Sequence, residues 1–219
     1  VPPSGDLRER LTEFAVQTAS RHSALGKDFL PFYEVIDARS LVNGVIGLMA
    51  TGGSTNLMIH ILAMARSVGY LMTLEDIAEL SQVTPLLARI YPNGSADVNQ
   101  FHAAGGMAFV IRELLSANLL HADARSVIGE PISAYAQEPS LAQGHLYWKD
   151  APAESGDESI LRPTDNPFSA QGGLCRLQGN LGEAVIKISA LDESKWRVSA
   201  PARVFDSQQD MARAHKDGE

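Results

Sequence analysis

The chain is short of the residues that would decide its class at once. Cys175 is the single cysteine among 219 residues. That excludes an internal disulfide, and any iron–sulfur cluster held by several cysteines of this chain alone. Basic residues are in deficit, with 18 Lys and Arg against 26 Asp and Glu, and the net charge is −8. Self-repulsion at that level favours solubility and works against a nucleic-acid or anionic-membrane surface. No apolar run reaches the roughly 18 to 20 residues that span a bilayer, and no signal peptide opens the sequence, so a cytoplasmic protein is expected. An initial methionine is missing too. The ends, Val1-Pro2-Pro3 and Lys216-Asp217-Gly218-Glu219, suit a segment of something longer.

What is present reads as an ordinary globular balance, 45% hydrophobic and 20% charged. Ser4 or Asp6 can cap a first helix with Leu7, Leu11, Phe14 and Thr18 on one face. Asp37 caps a second, about Ala38 to Ala50, which is apolar nearly all round and should be buried. A third runs from Ser54 or Thr55 to about Val68 and stops at Gly69. Thr73 with Asp76 forms a capping-box pattern for a fourth, "LEDIAELSQV". A short helical run is predicted from Pro85 to Ile90, then a turn at "YPNGSAD". Two further helices, Asp97 to Ala104 and Met107 to Leu119, are broken by Gly105-Gly106.

The texture changes beyond that point. Five of the eleven prolines fall between Gly129 and Gly172, a stretch read as a long connection. "GLCRL", "EAVIKIS" and "RVSAPARVF" then show β-branched alternation, and Ser207 with Asp210 starts a last helix. The expected organisation is a helical unit at 1–128, the connection at 129–172 and a β-rich beginning at 173–219. The β part has too few strands for a closed sheet of its own.

One stretch has the chemistry of an anion site. In "ATGGSTN" Gly52 and Gly53 permit a positive φ and close backbone approach. Ser54, Thr55 and Asn56 follow at a helix start, where free N–H groups and the dipole favour an anion. A plain helix–helix turn with a good cap explains the same residues. The loop lacks the Lys of a phosphate loop and follows no strand, which argues against a nucleoside triphosphate.

A second polar stretch, "YPNGSADVNQFHAAGG", offers Asn93, Ser95, Asp97, Asn99 and His102 for sugar hydroxyls, with Arg89 before it as a phosphate partner. The same stretch also reads as a capped loop with a solvated face. None of His22, His60, His102, His121, His145 and His215 has a metal-binding spacing. Cys175 reads as a small buried hydrophobe in a strand. The residues alone give one anion site and no catalytic machinery.

Longer motifs carry a resemblance. "LVNGVIGLMATGGSTNLMIHILAMARSVG" and "VTPLLARIYPNGSADVNQFHAAGG", with "QGGLCRLQGNLGEAVIKISA" and "APARVFDSQQD", closely resemble the dehydratases that include dihydroxy-acid and 6-phosphogluconate dehydratases. Tyr91-Pro92-Asn93-Gly94 and Gln100-Phe101-His102 are most similar to the phosphogluconate branch. The resemblance covers nearly the whole chain.

It implies an α/β fold, seen here as α+β. The helical end of a cluster-bearing N-terminal domain would lead into the first strands of a β-barrel-like C-terminal domain. It also implies dehydration of 6-phospho-D-gluconate to 2-dehydro-3-deoxy-6-phospho-D-gluconate in the Entner–Doudoroff pathway, by a cytoplasmic homodimer. An iron–sulfur cluster, expected as 4Fe-4S, and a divalent cation would assist. The family's cluster cysteines, its Cys-Asp-Lys metal motif and its base-bearing Thr-Asp-Gly-Arg-x-Ser motif do not occur in this chain, so the chain alone is expected to be inactive. Substrate contacts would come from Gly52, Gly53, Ser54, Thr55, Asn56, Asn93 and His102. Other readings are a fragment of a dihydroxy-acid or sugar-acid dehydratase, or a non-catalytic oligomerisation module.

Overall fold

The computed structural model describes residues 4–23 and 27–218. Val1–Pro3 and Glu219, on which the reading of the chain ends partly rests, lie outside the described residues. Seven α-helices and two small antiparallel sheets make up the regular structure among the described residues, and the strands form no closed barrel.

The helices are α1 (Gly5–Arg21), α2 (Ala38–Ala50), α3 (Thr55–Ser67), α4 (Leu74–Val83), α5 (Val98–Ala103), α6 (Gly106–Ser116) and α7 (Gln208–Lys216). Their starts follow the expected caps. Asp37 and Ser40 form a reciprocal capping box on α2, as do Thr73 and Asp76 on α4, and Asp97 and Gln100 on α5. Each box satisfies two backbone donors that a helix start otherwise leaves bare. In α1 the expected face is the one that packs. Leu7, Leu11, Phe14 and Thr18 are half-buried, while their neighbours along the helix face solvent.

Helix α2 explains its own composition. Ile46 and Ala50 belong to one core cluster, with Phe101, Phe109, Val110, Leu114 and Leu161; Leu41, Val45, Leu48 and Met49 belong to a second, with Met58, Ile61, Ile77 and Leu174. A helix wedged between two cores must be apolar on both faces. Each fully buried Leu or Ile there contributes about 1.5–3 kcal/mol.

Three sequence expectations need correction. Residues 85–90 are extended rather than helical. Leu86 bridges Ser169, Ala88 bridges Leu161 and Ile90 bridges Ala96. The apolar run is buried against α2 and against residues 160–169, and Leu87 N donates to Ala50 O at 2.7 Å. A buried strand of six residues and a helical turn look alike locally, and a distant partner decides. Second, "RVSAPARVF" forms no strand. It is largely exposed, without a ladder partner among the described residues, and Pro201 could not donate to one. Third, Cys175 is half-buried rather than buried.

The segment 129–172 also holds regular structure that alternation did not signal. Strands β1 (Gln137–Ala142) and β2 (His145–Asp150) form a hairpin, with Gln143 and Gly144 both at positive φ in its turn. Phe14 of α1 meets Trp148 of β2 edge-on at 5.5 Å between ring centres. The second hairpin joins β3 (Leu174–Gly179) to β4 (Gly182–Lys187), with Leu174 opposite Lys187. Arg176 on β3 pairs with Glu183 at 2.9 Å and with Glu75 of α4, which fastens the hairpin to the helical unit.

Candidate functional site

The turn between α2 and α3 is a junction of three chain segments. Gly52 adopts φ 59°, and a β-carbon there would lie 2.0 Å from Asn93 Nδ2 and 3.1 Å from a Leu86 methyl. Only glycine gives both the left-handed backbone and the space. Gly53 has an ordinary φ, but a β-carbon on it would fall 2.6 Å from a methyl of Leu48. Its N–H donates to Leu48 O at 2.8 Å and closes the end of α2.

The two glycine carbonyls face inward and are satisfied from afar. Asn93 Nδ2 donates to Gly52 O at 2.6 Å. Lys187 Nζ, at the end of β4, donates to Gly52 O at 2.7 Å and to Gly53 O at 3.1 Å. Ser189 Oγ donates to Asn93 Oδ1 at 3.0 Å, which fixes which way the Asn93 amide points. Burial pushes the Lys187 ammonium below its ordinary pKa. Its positive charge therefore sits in a place that solvates it poorly, with two carbonyl dipoles as its ligands.

The consequence is orientation. With the carbonyls of residues 52 and 53 held inward, the start of α3 is turned toward solvent. Ser54 is the N-cap, its Oγ accepting from Asn56 N at 3.1 Å. Ser54 and Asn56 are exposed and Thr55 is half-buried. The arrangement can hold a small anion or a polyol against hydroxyl, amide and helix-start N–H groups.

Of the residues expected from sequence, Gly52, Gly53, Ser54, Thr55 and Asn56 are contiguous, and Asn93 is joined to them by its side chain. His102 is exposed on α5, and its Nδ1 lies 3.3 Å from where a β-carbon of Gly106 would be. No hydrogen bond ties it to the loop among the described residues. His22 is structural, its ring stacked on Phe32 at 4.7 Å between ring centres, with its nitrogens 2.7 Å from Leu30 O and 3.0 Å from Val127 O.

Lys187 and Ser189 were missed by sequence reasoning. A signal existed: in "AVIKIS" the strand alternation puts Lys187 and Ser189 on one face and Ile186 and Ile188 on the other. A lysine at the end of a β-branched strand has to find a polar partner, and the glycine carbonyls are that partner.

Comparison with known proteins agrees with this architecture. Residues 1–135 match the family described as dihydroxy-acid/6-phosphogluconate dehydratase N-terminal, and residues 159–219 match its C-terminal counterpart. The chain is 48% identical to a phosphogluconate dehydratase of Pseudomonas aeruginosa and 49% identical to one of Zymomonas mobilis, over the whole of its length in both cases. It is 34% identical, over 81% of its length, to a dihydroxy-acid dehydratase of Koribacter versatilis. The chain spans 36% of the length of the two phosphogluconate dehydratases and 29% of the third protein. On this evidence the chain belongs to the dihydroxy-acid/6-phosphogluconate dehydratase family.

Proposed function

We propose that this chain serves as the central portion of a hydro-lyase that dehydrates 6-phospho-D-gluconate to 2-dehydro-3-deoxy-6-phospho-D-gluconate. The observation that carries the reading is the ordering of identities. Relatives named phosphogluconate dehydratase reach 44–50% over the whole chain, against 34% over 81% of it for the dihydroxy-acid enzyme. In this reading residues 1–128 close the N-terminal domain, 129–172 connect, and 173–219 open the C-terminal domain of a cytoplasmic homodimer.

The loop at Gly52–Asn56 binds and orients substrate rather than performing chemistry. Asn93 and Lys187 hold its two carbonyls inward. Ser54, Thr55 and Asn56 then offer hydroxyl, amide and helix-start donors to a sugar acid, and His102 flanks the same ligand from α5. An ion-dipole cradle of this kind binds ground and transition states alike, so its loss raises KM more than it lowers kcat.

An iron–sulfur cluster and a divalent cation belong to the proposal only as groups held outside this chain. The donor set does not fit them. Cys175 is the lone cysteine, and the described residues contain no group of three or more His, Cys, Asp or Glu that could hold a metal. No step of the reaction is assigned to these residues, and the chain by itself is expected to be inactive.

The test compares the intact enzyme with this chain on 6-phosphogluconate, gluconate and a branched dihydroxy acid. Turnover by the intact enzyme that is at least tenfold better with the 6-phosphate, and none by the isolated chain, is the expected result. Equal rates on gluconate and 6-phosphogluconate would refute the choice of substrate. Turnover by the isolated chain, free of host enzyme, would refute its dependence on the rest.

A further inference from the structure

Two arginines converge on one ring beside the candidate site. Arg89 and Arg162 place their guanidinium carbons 4.5 Å and 4.3 Å from the ring centre of Phe168. The backbone explains why they meet. Ala88 bridges Leu161 antiparallel, Arg89 N donates to Ile160 O, and Arg162 N donates to Leu87 O. That register makes Arg89 and Arg162 diagonal neighbours on one face of the extended pair. Phe168 is brought under them because its N–H donates to Leu86 O at 2.9 Å.

Two like charges drawn to one ring repel each other, yet neither has a carboxylate partner among the described residues. Arg162 makes a side-chain bond from Nε to Glu158 O at 2.9 Å, which leaves its charge uncompensated. By the two ring distances, the guanidinium carbons lie no more than about 9 Å apart. One phosphate can reach both at N–H···O contacts of about 2.7–2.9 Å only where they approach closer than roughly 8 Å, on the same side of the ring.

Arg89 and Phe168 line a cleft of about 300 Å³ together with Ser189, which is also the residue that orients Asn93, and Arg162 adjoins this cleft through Phe168 without lining it. The cleft therefore adjoins the Gly52–Asn93 junction. Asp192 and Glu193 stand at the same cleft as anions that a phosphate must outcompete; the Asp192 carboxylate accepts from the Ser194 N–H and hydroxyl, and neither acid pairs with Arg89.

The geometry points to a phosphate-recognition site formed by Arg89 and Arg162, preorganised by stacking on Phe168. It rests on the proposed function for its ligand, since it would receive the phosphate of the sugar acid whose polar groups lie toward the Gly52–Asn56 loop. Stacking holds each planar fork in place, so less freedom is lost when it closes on a phosphate.

The test separates the site from the enzyme. Inorganic phosphate is titrated into the chain and into Arg89→Gln, Arg162→Gln and the double variant, followed by calorimetry and by the Phe168 ring resonances. Each single variant should weaken binding at least tenfold, and the double variant should abolish it. Arg89→Lys and Arg162→Lys, which keep the charge and lose the fork, should recover binding only in part, and thermal midpoints establish that each variant is folded. No binding by the wild-type chain, or equal binding by the folded double variant, overturns the site. In the intact enzyme the double variant should lose at least tenfold in kcat/KM on 6-phosphogluconate and little on gluconate. An intact enzyme indifferent to 6-phosphogluconate, beside arginine-dependent phosphate binding, would overturn the substrate and leave the phosphate site standing.

Discussion

Gly52-Gly53 and Gly105-Gly106 look alike in the sequence, and the structure uses them differently. Both pairs separate helices, and both contain positive φ, 59° at Gly52, 131° at Gly105 and 57° at Gly106. At the first pair the carbonyls are taken by polar groups distant in sequence, Asn93 and Lys187. At the second pair the neighbours are close in sequence: Phe109 lies 2.9 Å from where a β-carbon of Gly105 would stand, and His102 Nδ1 lies 3.3 Å from that of Gly106. Gly105 and Gly106 are buried beside a core cluster that holds Ala104 and Phe109. One pair is a polar junction between distant parts of the chain, and the other is a packing notch within a core. A glycine pair announces backbone freedom, while its surroundings decide what the freedom is for.

The largest expected effect breaks the junction directly. Gly52→Ala forces a β-carbon onto Asn93 in a left-handed backbone and should cost about 3 kcal/mol in chemical denaturation. Adding Asn93→Ala to it should recover about 1 kcal/mol, because the overlap is with that side chain. The same Asn93→Ala change should recover nothing in Gly105→Ala, whose overlap is with Phe109. Recovery in both backgrounds would erase the distinction between the two pairs.

Next in size is Lys187→Met, which removes the charge-assisted bonds to Gly52 O and Gly53 O. A loss of about 1.5–3 kcal/mol is expected. Hydrogen exchange should quicken at residues 52–57 and stay unchanged at residues 105–109. Uniform quickening across both would mean that Lys187 stabilises the fold at large and does not hold this loop.

The two N-caps that flank α2 and open α3 offer a smaller contrast. Burial raises the Asp37 carboxyl, but the Ser40 N–H and the Arg39 guanidinium outweigh it and hold the group below its ordinary pKa. Stability from Asp37 is therefore fully present above about pH 4 and is lost as pH falls through its folded value. Asp37→Asn should flatten that acid limb. Ser54→Ala should leave it intact and cost only about 0.5–1 kcal/mol at every pH.

Much of the fold could be read from the sequence because its signals are local. Caps, glycine stops and helical periodicity placed α1, α2, α3, α4 and α7 from residues a few positions apart. Residues 85–90 could not be read in the same way, since their strand character comes from pairing with residues 160–169. The site divides along the same line. Gly52 through Asn56 announce themselves, and Asn93 stood out as a polar turn residue. Lys187 and Ser189 reach the site across 135 and 96 residues of chain, and Arg162 and Phe168 lie 73 and 79 residues beyond Arg89. Such partners become visible only when the backbone has brought them together.

The central claim is that the loop held by Asn93 and Lys187 binds substrate in the intact enzyme. The most direct measurement is steady-state kinetics of Ser54→Ala, Asn56→Ala and the double variant on 6-phosphogluconate, with thermal midpoints alongside. The account predicts KM raised at least tenfold in the double variant, with kcat changed far less and the fold intact. Unchanged kinetics beside lowered stability would contradict it and reduce the loop to a helix cap.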